Sequence, residues 1–246
     1  YQESLNIRQR LFDATPDSSQ AARDLSTSLH YIGRMAHDTS DLLVARAAYQ
    51  ESLNIRQRLF DANPASTQAA RDLSIALDAF GTAASEVDDL AAARAAYRES
   101  LNIRRRLFEA NPDSSQAARD LTVALENVGL VASEADDLPA ARAAHQEQLQ
   151  ITRLLFEAKP ASAQTARDLS IALLVLAGLP TTGDYTDHAI HMIEAAKVLE
   201  PWNIPAFGVL RSSVRQHLSM LIPQLPTDRP DLTRECAAAL NSLGEQ

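Results

Sequence analysis

Residues 77–100 read LDAFGTAASEVDDLAAARAAYRES. Upstream of the acidic break, Leu73, Leu77, Phe80 and Ala84 fall at steps of three and four, which places them on one face of a helix. Ser66 to Ser85 contains no internal proline, so that helix can run the whole stretch. The break itself, Glu86-Val87-Asp88-Asp89, is polar, and Asp89 reads as the N-cap of a second helix from about Leu90 to Glu109. The apolar set of that helix, Leu90, Ala93, Tyr97, Leu101, Leu107 and Phe108 with Ser100 between them, is wide. Such a helix is gripped on two sides. Asn111-Pro112 ends it, because proline disfavours a helical conformation in the residue before it.

The hairpin is copied along the chain. Tyr1–Ala14 returns letter for letter as Tyr49–Ala62, and Tyr97 and His145 continue the register at intervals of 48 residues. The blocks beginning at Tyr49 and Tyr97 agree at about 34 of 48 positions. Arg23-Asp24, Arg71-Asp72, Arg119-Asp120 and Arg167-Asp168 recur, as do Gly33, Gly81 and Gly129, and Pro16, Pro64, Pro112 and Pro160. A two-helix unit cannot bury its apolar side alone, so near-copies stack. The expected fold is all-α, an α-solenoid of stacked antiparallel helix pairs. Asp41 and Asp137 read as N-caps like Asp89, and Asp17/Gln20 and Asp113/Gln116 have capping-box spacing.

Leu77, Phe80, Gly81, Ala84, Ala93, Tyr97 and Ser100 resemble the signature of the tetratricopeptide repeat in type and spacing. The resemblance covers about residues 1–201 and implies a right-handed superhelix. In that family small residues let the two helices approach and an aromatic fills the space between them. The family unit is 34 residues; the extra length here fits as roughly two added turns per hairpin helix pair end. GDYTDHAIHMIEAAKVLEP, ending at Pro201, resembles a family-length second helix. The expected layout is one solenoid domain over 1–246: a partial second helix at 1–14, long repeats at 15–62, 63–110 and 111–158, a shorter repeat at 159–201, and capping helices at 202–246. The last comprise Asn203–Leu221 and Thr227–Leu243, with Trp202, Phe207 and Leu210 covering the final unit. A chain that starts inside a repeat is expected to be one part of a longer multi-domain protein.

Composition narrows the function. With 46% hydrophobic residues in 246, a sizeable core is available. Only 5% are aromatic and glycines number 7, which favours helix. A net charge of −9 speaks against nucleic acid as partner. The single cysteine, Cys236, gives no internal disulfide and reads as a core residue. The longest apolar run, Ile171 to Leu179, is too short to span a bilayer, and no signal peptide is visible, so a cytoplasmic location and no membrane partner are expected. No phosphate loop, HExxH, GxSxG or paired CxxC occurs, and no cofactor, metal or catalytic residue is assigned; the chain is not expected to be an enzyme. His30 and His37 share a face, and His188 and His191 lie three apart, but a metal needs three or more converging ligands. His145, in the tyrosine register, reads as a packing substitution. The Arg-Asp pairs read as a structural ladder from unit to unit, and Asn6, Asn54, Asn102 and Gln150 as a hydrogen-bond ladder.

Positions that vary among the copies locate the candidate surface. The resemblance places the groove on the first helices: Thr27, His30, Arg34, His37 and Asp38; Ile75, Asp78, Thr82, Ser85 and Glu86; Val123, Glu126, Leu130, Ser133 and Glu134; and Ile171, Leu174 and Gly178. One end carries His and Arg, the middle carries acids, and the far end is apolar. The family's acidic-tail ligands are met by Lys, Asn and Arg at groove positions, of which only Arg34 is present here. The expected function is a protein–protein interaction scaffold holding a peptide or partner protein with a basic stretch and an apolar anchor. The alternative is structural self-assembly, a homo-oligomer formed through terminal repeats, with Leu5, Ile7, Leu11 and Phe12 lacking a cover.

Overall fold

The computed structural model describes residues 2–180, 185–202 and 204–244, with side chains from residue 6 onward. Tyr1, residues 181–184 and Asn203 lie outside the described residues, as does the side chain of Leu5; the expected beginning of the family-length helix at Gly183 therefore falls outside them. All regular structure among the described residues is helical. The chain divides into two compact units, 1–136 and 137–246. The first holds α1 (Gln2–Ala14), α2 (Ser19–Asp38), α3 (Leu42–Ala62), α4 (Thr67–Ser85), α5 (Leu90–Ala110) and α6 (Ser115–Glu134). The second holds α7 (Leu138–Ala158), α8 (Ala163–Gly178), α9 (Thr186–Leu199), α10 (Gly208–Leu221) and α11 (Pro230–Ser242), with 3-10 turns at Pro205–Phe207 and Ile222–Gln224.

In the first unit each helix packs on the next in sequence, and α2 touches α4 as α4 touches α6. This is the stacking of an α-solenoid: hairpins laid side by side with first helices on one face and second helices on the other. The core of the stack is small. Ala45, Ala83, Ala84 and Ala93 are fully buried around Leu73, Leu77, Phe80 and Tyr97. Alanine at these positions brings helix axes together, and the few large side chains fill what remains. Gly81 shows the limit of that approach: a Cβ added there would stand 2.7 Å from the ring of Tyr97, and one on Gly33 would stand 2.6 Å from Tyr49.

Helix starts follow two rules. Asp41, Asp89 and Asp137 cap α3, α5 and α7, each accepting from the backbone N–H three residues on. Just ahead of them Ser40, Asp88 and Asp136 adopt positive φ of 60°, 61° and 56°, the left-handed turn that folds one helix back on another. The first helices are capped differently from expectation. Ser18, Ser66, Ser114 and Ser162 accept from the N–H of Ala21, Ala69, Ala117 and Thr165. Asp17 and Asp113 therefore form no capping box. Gln20 and Gln116 instead donate forward to Asp24 and Asp120, one turn along the same helices.

The proposed asparagine ladder is likewise absent. Asn6, Asn54, Asn102 and Gln150 are all exposed, and Asn54 accepts from Gln50 of its own helix. The Arg-Asp ladder is present between two copies, where Arg71 Nε lies 3.6 Å from the Asp120 carboxylate.

In the second unit α8 and α9 have 16 and 14 residues where the helices of the longer hairpins have 19 to 21. The prolines at 205 and 230 set the starts of the terminal helices later than their apolar patterns suggest. Trp202 stacks on the buried Phe207 at a centroid distance of 5.4 Å. Arg211, itself buried, donates to the carbonyls of Leu199 and Leu243, so one guanidinium closes the C-terminal ends of both α9 and α11. Cys236 is fully buried, and burial pushes its thiol up.

Candidate functional site

The first helices of unit 1 supply the candidate surface. Two cross-helix bonds hold them in register: the ring of His37 on α2 meets the Glu86 carboxylate at the end of α4 at 2.8 Å, and Ser85 on α4 donates to Glu134 on α6. Residues 48 apart are thereby set side by side. The row 27/75/123 presents half-buried Thr27, then Ile75 and Val123 at 40% and 45% exposure. The row 34/82/130 presents Arg34 and Thr82, both exposed, and Leu130 at 48%. Between them runs the row 30/78/126 of half-buried His30, Asp78 and Glu126. Ile75, Val123 and Leu130 thus present branched apolar side chains on the face formed by the first helices.

The acids expected to meet a basic ligand are mostly engaged inside the chain. Asp78 is ion-paired with Arg104 of α5, and its side chain is only 16% exposed. Burial pushes its carboxyl above the usual carboxylate range, against the pull of Arg104 and of the neighbouring Ser100 and Asn127 side chains. Glu86 is taken by His37 and Glu134 by Ser85. Asp38 is exposed beside His37 at 3.9 Å. Glu126 keeps its carboxylate unpaired among the described residues. Ile171 and Leu174, on α8 of the second unit, are half-buried rather than exposed, while Gly178 at the end of that helix is open.

The histidines face inward. His30 stacks obliquely on Tyr49 at 5.4 Å, and its Nδ1 is buried without a partner. His145 is buried and bonds Gln148; His188 is buried against the Leu179 carbonyl; His191 Nδ1 is buried in the second unit. Among the described residues no three metal-ligating side chains converge.

Burial, reinforced by Arg56 and then Arg34, holds the His30 imidazole down at about 4, against 6.5 in an open chain. Burial lowers His188 and His191 as well. A proton that binds the unfolded chain and not the folded one makes folding pH-dependent. The stability associated with neutral His30 is complete above pH 6.5 and is lost as pH falls toward 4. Urea unfolding at pH 7.5 and 4.5 should show a loss roughly 2 kcal/mol larger for the native sequence than for His30→Asn; equal losses would show that His30 is accessible to protons.

Sequence inspection missed the buried arginines. Arg56 and Arg104 lie on the second helices, 8% and 6% exposed, and each reaches forward to a backbone carbonyl of the following first helix: Arg56 Nη1 to Asp72 at 2.9 Å, Arg104 Nη1 to Asp120 at 2.9 Å. Arg8 does the same to Asp24 at 3.1 Å. The signal was present, since arginine recurs at 8, 56 and 104, but an arginine amid polar neighbours reads as surface.

Fold and surface together define a helical-repeat protein whose hairpins stack through small residues and a recurring tyrosine. Residues 75–114 match the family described as tetratricopeptide repeat, and near-copies of that segment stand 48 residues to either side. Among solved structures it is similar to BtubC (BKLC) from P. vanneervenii, with a TM-score of 0.63 and 12% identity over 98% of this chain and 86% of that one. At that identity the likeness concerns the fold alone. A TPR repeats protein from Bacteroides fragilis NCTC 9343 aligns at 14% identity over 87% of this chain and 97% of its own, with a TM-score of 0.26, too low to bear an argument. No curated protein sequence matches the chain. Tetratricopeptide repeats generally mediate protein–protein interaction. Among the described residues no helix is long and apolar enough to cross a membrane.

Proposed function

We propose that this chain is an interaction scaffold that holds a partner protein on the face built by α2, α4 and α6. The observation that carries the reading is the exposure of Ile75 and Val123 in one row and of Leu130 in the next row but one, on helices whose other sides repeat almost unchanged. Stacking accounts for the repeated positions and gives no reason for apolar side chains in solvent. A partner covering these three residues would gain most of its affinity from apolar burial, since an exposed ion pair contributes only about 0–1 kcal/mol. Glu126 is the acid left to meet a basic stretch of that partner. The test is a pull-down from source-cell lysate with the native chain and with Ile75→Asp, Val123→Asp and Leu130→Asp combined. The captured protein should fall at least tenfold while the helical circular dichroism is unchanged; undiminished capture would remove this face from the account.

Self-assembly is the second reading, favoured by one comparison. Ile55 and Leu59 of α3 are buried and half-buried, whereas their copies Ile7 and Leu11 on α1 are 51% and 57% exposed. Phe12 packs against the cluster of Ala22, Leu25, Leu29 and Ile55 and is not available. Sedimentation over a hundredfold range of concentration decides between a monomer and an oligomer closed through α1.

A further inference from the structure

Two copies of one buried cluster share their arginine and serines and differ around the carboxylate. In the later copy Arg104 donates from Nε to Ser74 Oγ at 3.2 Å, from Nη1 to the Asp120 carbonyl at 2.9 Å, and from Nη2 to the Asp78 carboxylate. Ser100 Oγ closes the cluster on the Ser74 carbonyl at 3.2 Å. In the earlier copy two counterparts are missing: His30 stands for Asp78, and Ala79 for the Asn127 that lies beside Asp78. Arg56 donates from Nε to Ser26 Oγ at 3.5 Å and from Nη1 to the Asp72 carbonyl at 2.9 Å, and Ser52 Oγ bonds the Ser26 carbonyl at 2.8 Å. Where the later copy has Asp78, the earlier has His30. No acidic side chain among the described residues is ion-paired with Arg56, although the residue is only 8% exposed. The imidazole beside it keeps a buried Nδ1 without a partner.

A guanidinium removed from water needs an opposite charge. The Asp78–Arg104 pair shows which group this geometry accepts: a carboxylate on Nη2. Charges of both signs surround His30: Asp72 acts on Arg56, and Asp38 and Glu86 act on the neighbouring Tyr49. Arg34, exposed, lies with its guanidinium 5.1 Å over the ring of Tyr31, and Tyr31 and Tyr49 flank His30 at 6.3 and 5.4 Å. Arg34 and Arg56 attract an incoming anion there, against the opposing charges of Asp38 and Glu86.

We propose that Arg56 and His30 form a recognition subsite for the side-chain carboxylate of a glutamate or aspartate presented by the bound protein. The carboxylate takes the place that Asp78 fills in the next unit, accepting from Arg56 Nη2 and from the His30 ring, with Arg34 at the entrance. Because Arg56 is so nearly buried, the group must arrive on a side-chain stem. A chain terminus would have to bring its own backbone into the gap. This subsite deepens the scaffold reading and rests on it for the identity of the ligand as a protein.

The site can be tested without the partner. The probes are acetyl-Ala-Leu-Glu-Leu-Ala-amide, the same peptide with Gln for Glu, and the Gln peptide with a free C-terminal carboxylate. Binding at millimolar peptide is followed through the ring resonances of His30 in the full chain. The Glu peptide should bind at least tenfold more tightly than either Gln peptide, as expected for a charge-assisted bond replacing a neutral one. The decisive variant is His30→Asp, which fills the place with the chain's own carboxylate rather than emptying it; binding is then followed through the Tyr49 ring. That variant should melt at higher temperature than the native chain and lose the preference for Glu. Equal affinity for all three peptides, preference for the free terminus, or a preference that survives in His30→Asp would each overturn the proposal. The apolar-face substitutions leave Arg56 untouched, so failure of the scaffold reading and failure of this subsite give different results.

Discussion

Arg104→Ala is expected to lower the stability of the chain by roughly 3–5 kcal/mol, the range for removing one partner of a buried ion pair. Three bonds are lost with the guanidinium: to Asp78, to Ser74 and to the Asp120 carbonyl. These join the two helices of one hairpin, α4 and α5, and fasten both to the first helix of the next, α6. The cost arises mainly from what remains, a carboxylate at Asp78 with no counter-charge and little water. Two further measurements separate this cause from lost packing. Burial already raises the Asp78 carboxyl, and without Arg104 it should rise further, so the penalty should shrink as pH falls and Asp78 takes a proton. Asp78→Asn in the Arg104→Ala background should recover part of the loss. Urea unfolding of the two variants at pH 7.5 and 5 measures both effects; a penalty independent of pH would show that the ion pair is not the source.

Gly81→Val is expected to cost about 3 kcal/mol or more, at the upper end for overpacking a closed site. Even a bare Cβ would stand 2.7 Å from Cε1 and 2.9 Å from Cδ1 of the Tyr97 ring, closer than real contacts allow. The ring cannot give way easily, since Tyr97 is 6% exposed and its hydroxyl meets Thr82 Oγ1 at 3.0 Å. Helix propensity works in the opposite direction, because glycine in a helix interior is about 1 kcal/mol worse than alanine. A measured gain in stability for Gly81→Ala would therefore mean that the two helices separate without loss. Tyr97→Ala alone should destabilise through its cavity, yet the double variant with Gly81→Val should cost less than the sum of the two, because removing the ring removes the valine's clash and the valine fills part of the cavity. Thermal unfolding of the three variants completes that cycle.

The hairpins were legible because their signals are local. Asp41, Asp89 and Asp137 cap helices as their place before an apolar run requires, and the pairing of Gly81 with Tyr97 follows from a small residue facing a ring across one short loop. Capping of the first helices was misassigned by one residue. Asp17 and Ser18 both suit an N-cap, and the choice was made by the turn after the preceding helix, in which the Ser18 N–H bonds the Thr15 carbonyl. Comparison of the copies held the answer: the serine stands in all four units at 18, 66, 114 and 162, the aspartate at only two of them.

The acids of the candidate surface were misread from the sequence. Asp78, Glu86 and Glu134 count as groove acids when each helix is viewed alone. Their partners lie 26, 49 and 49 residues away, on other helices. No periodicity along one helix reports which neighbour's side chain will reach across, so a row of acids became, on folding, one free carboxylate at Glu126.

By itself the sequence determined that this chain folds into stacked helical hairpins, since backbone hydrogen bonds, caps and close-packing residues are spelled within each 48-residue copy. Only the tertiary structure decided which charges are spent inside the stack and which face solvent. That is settled by distances between helices and by the loss of water around Arg56 and Arg104, and neither exists until the copies are packed together.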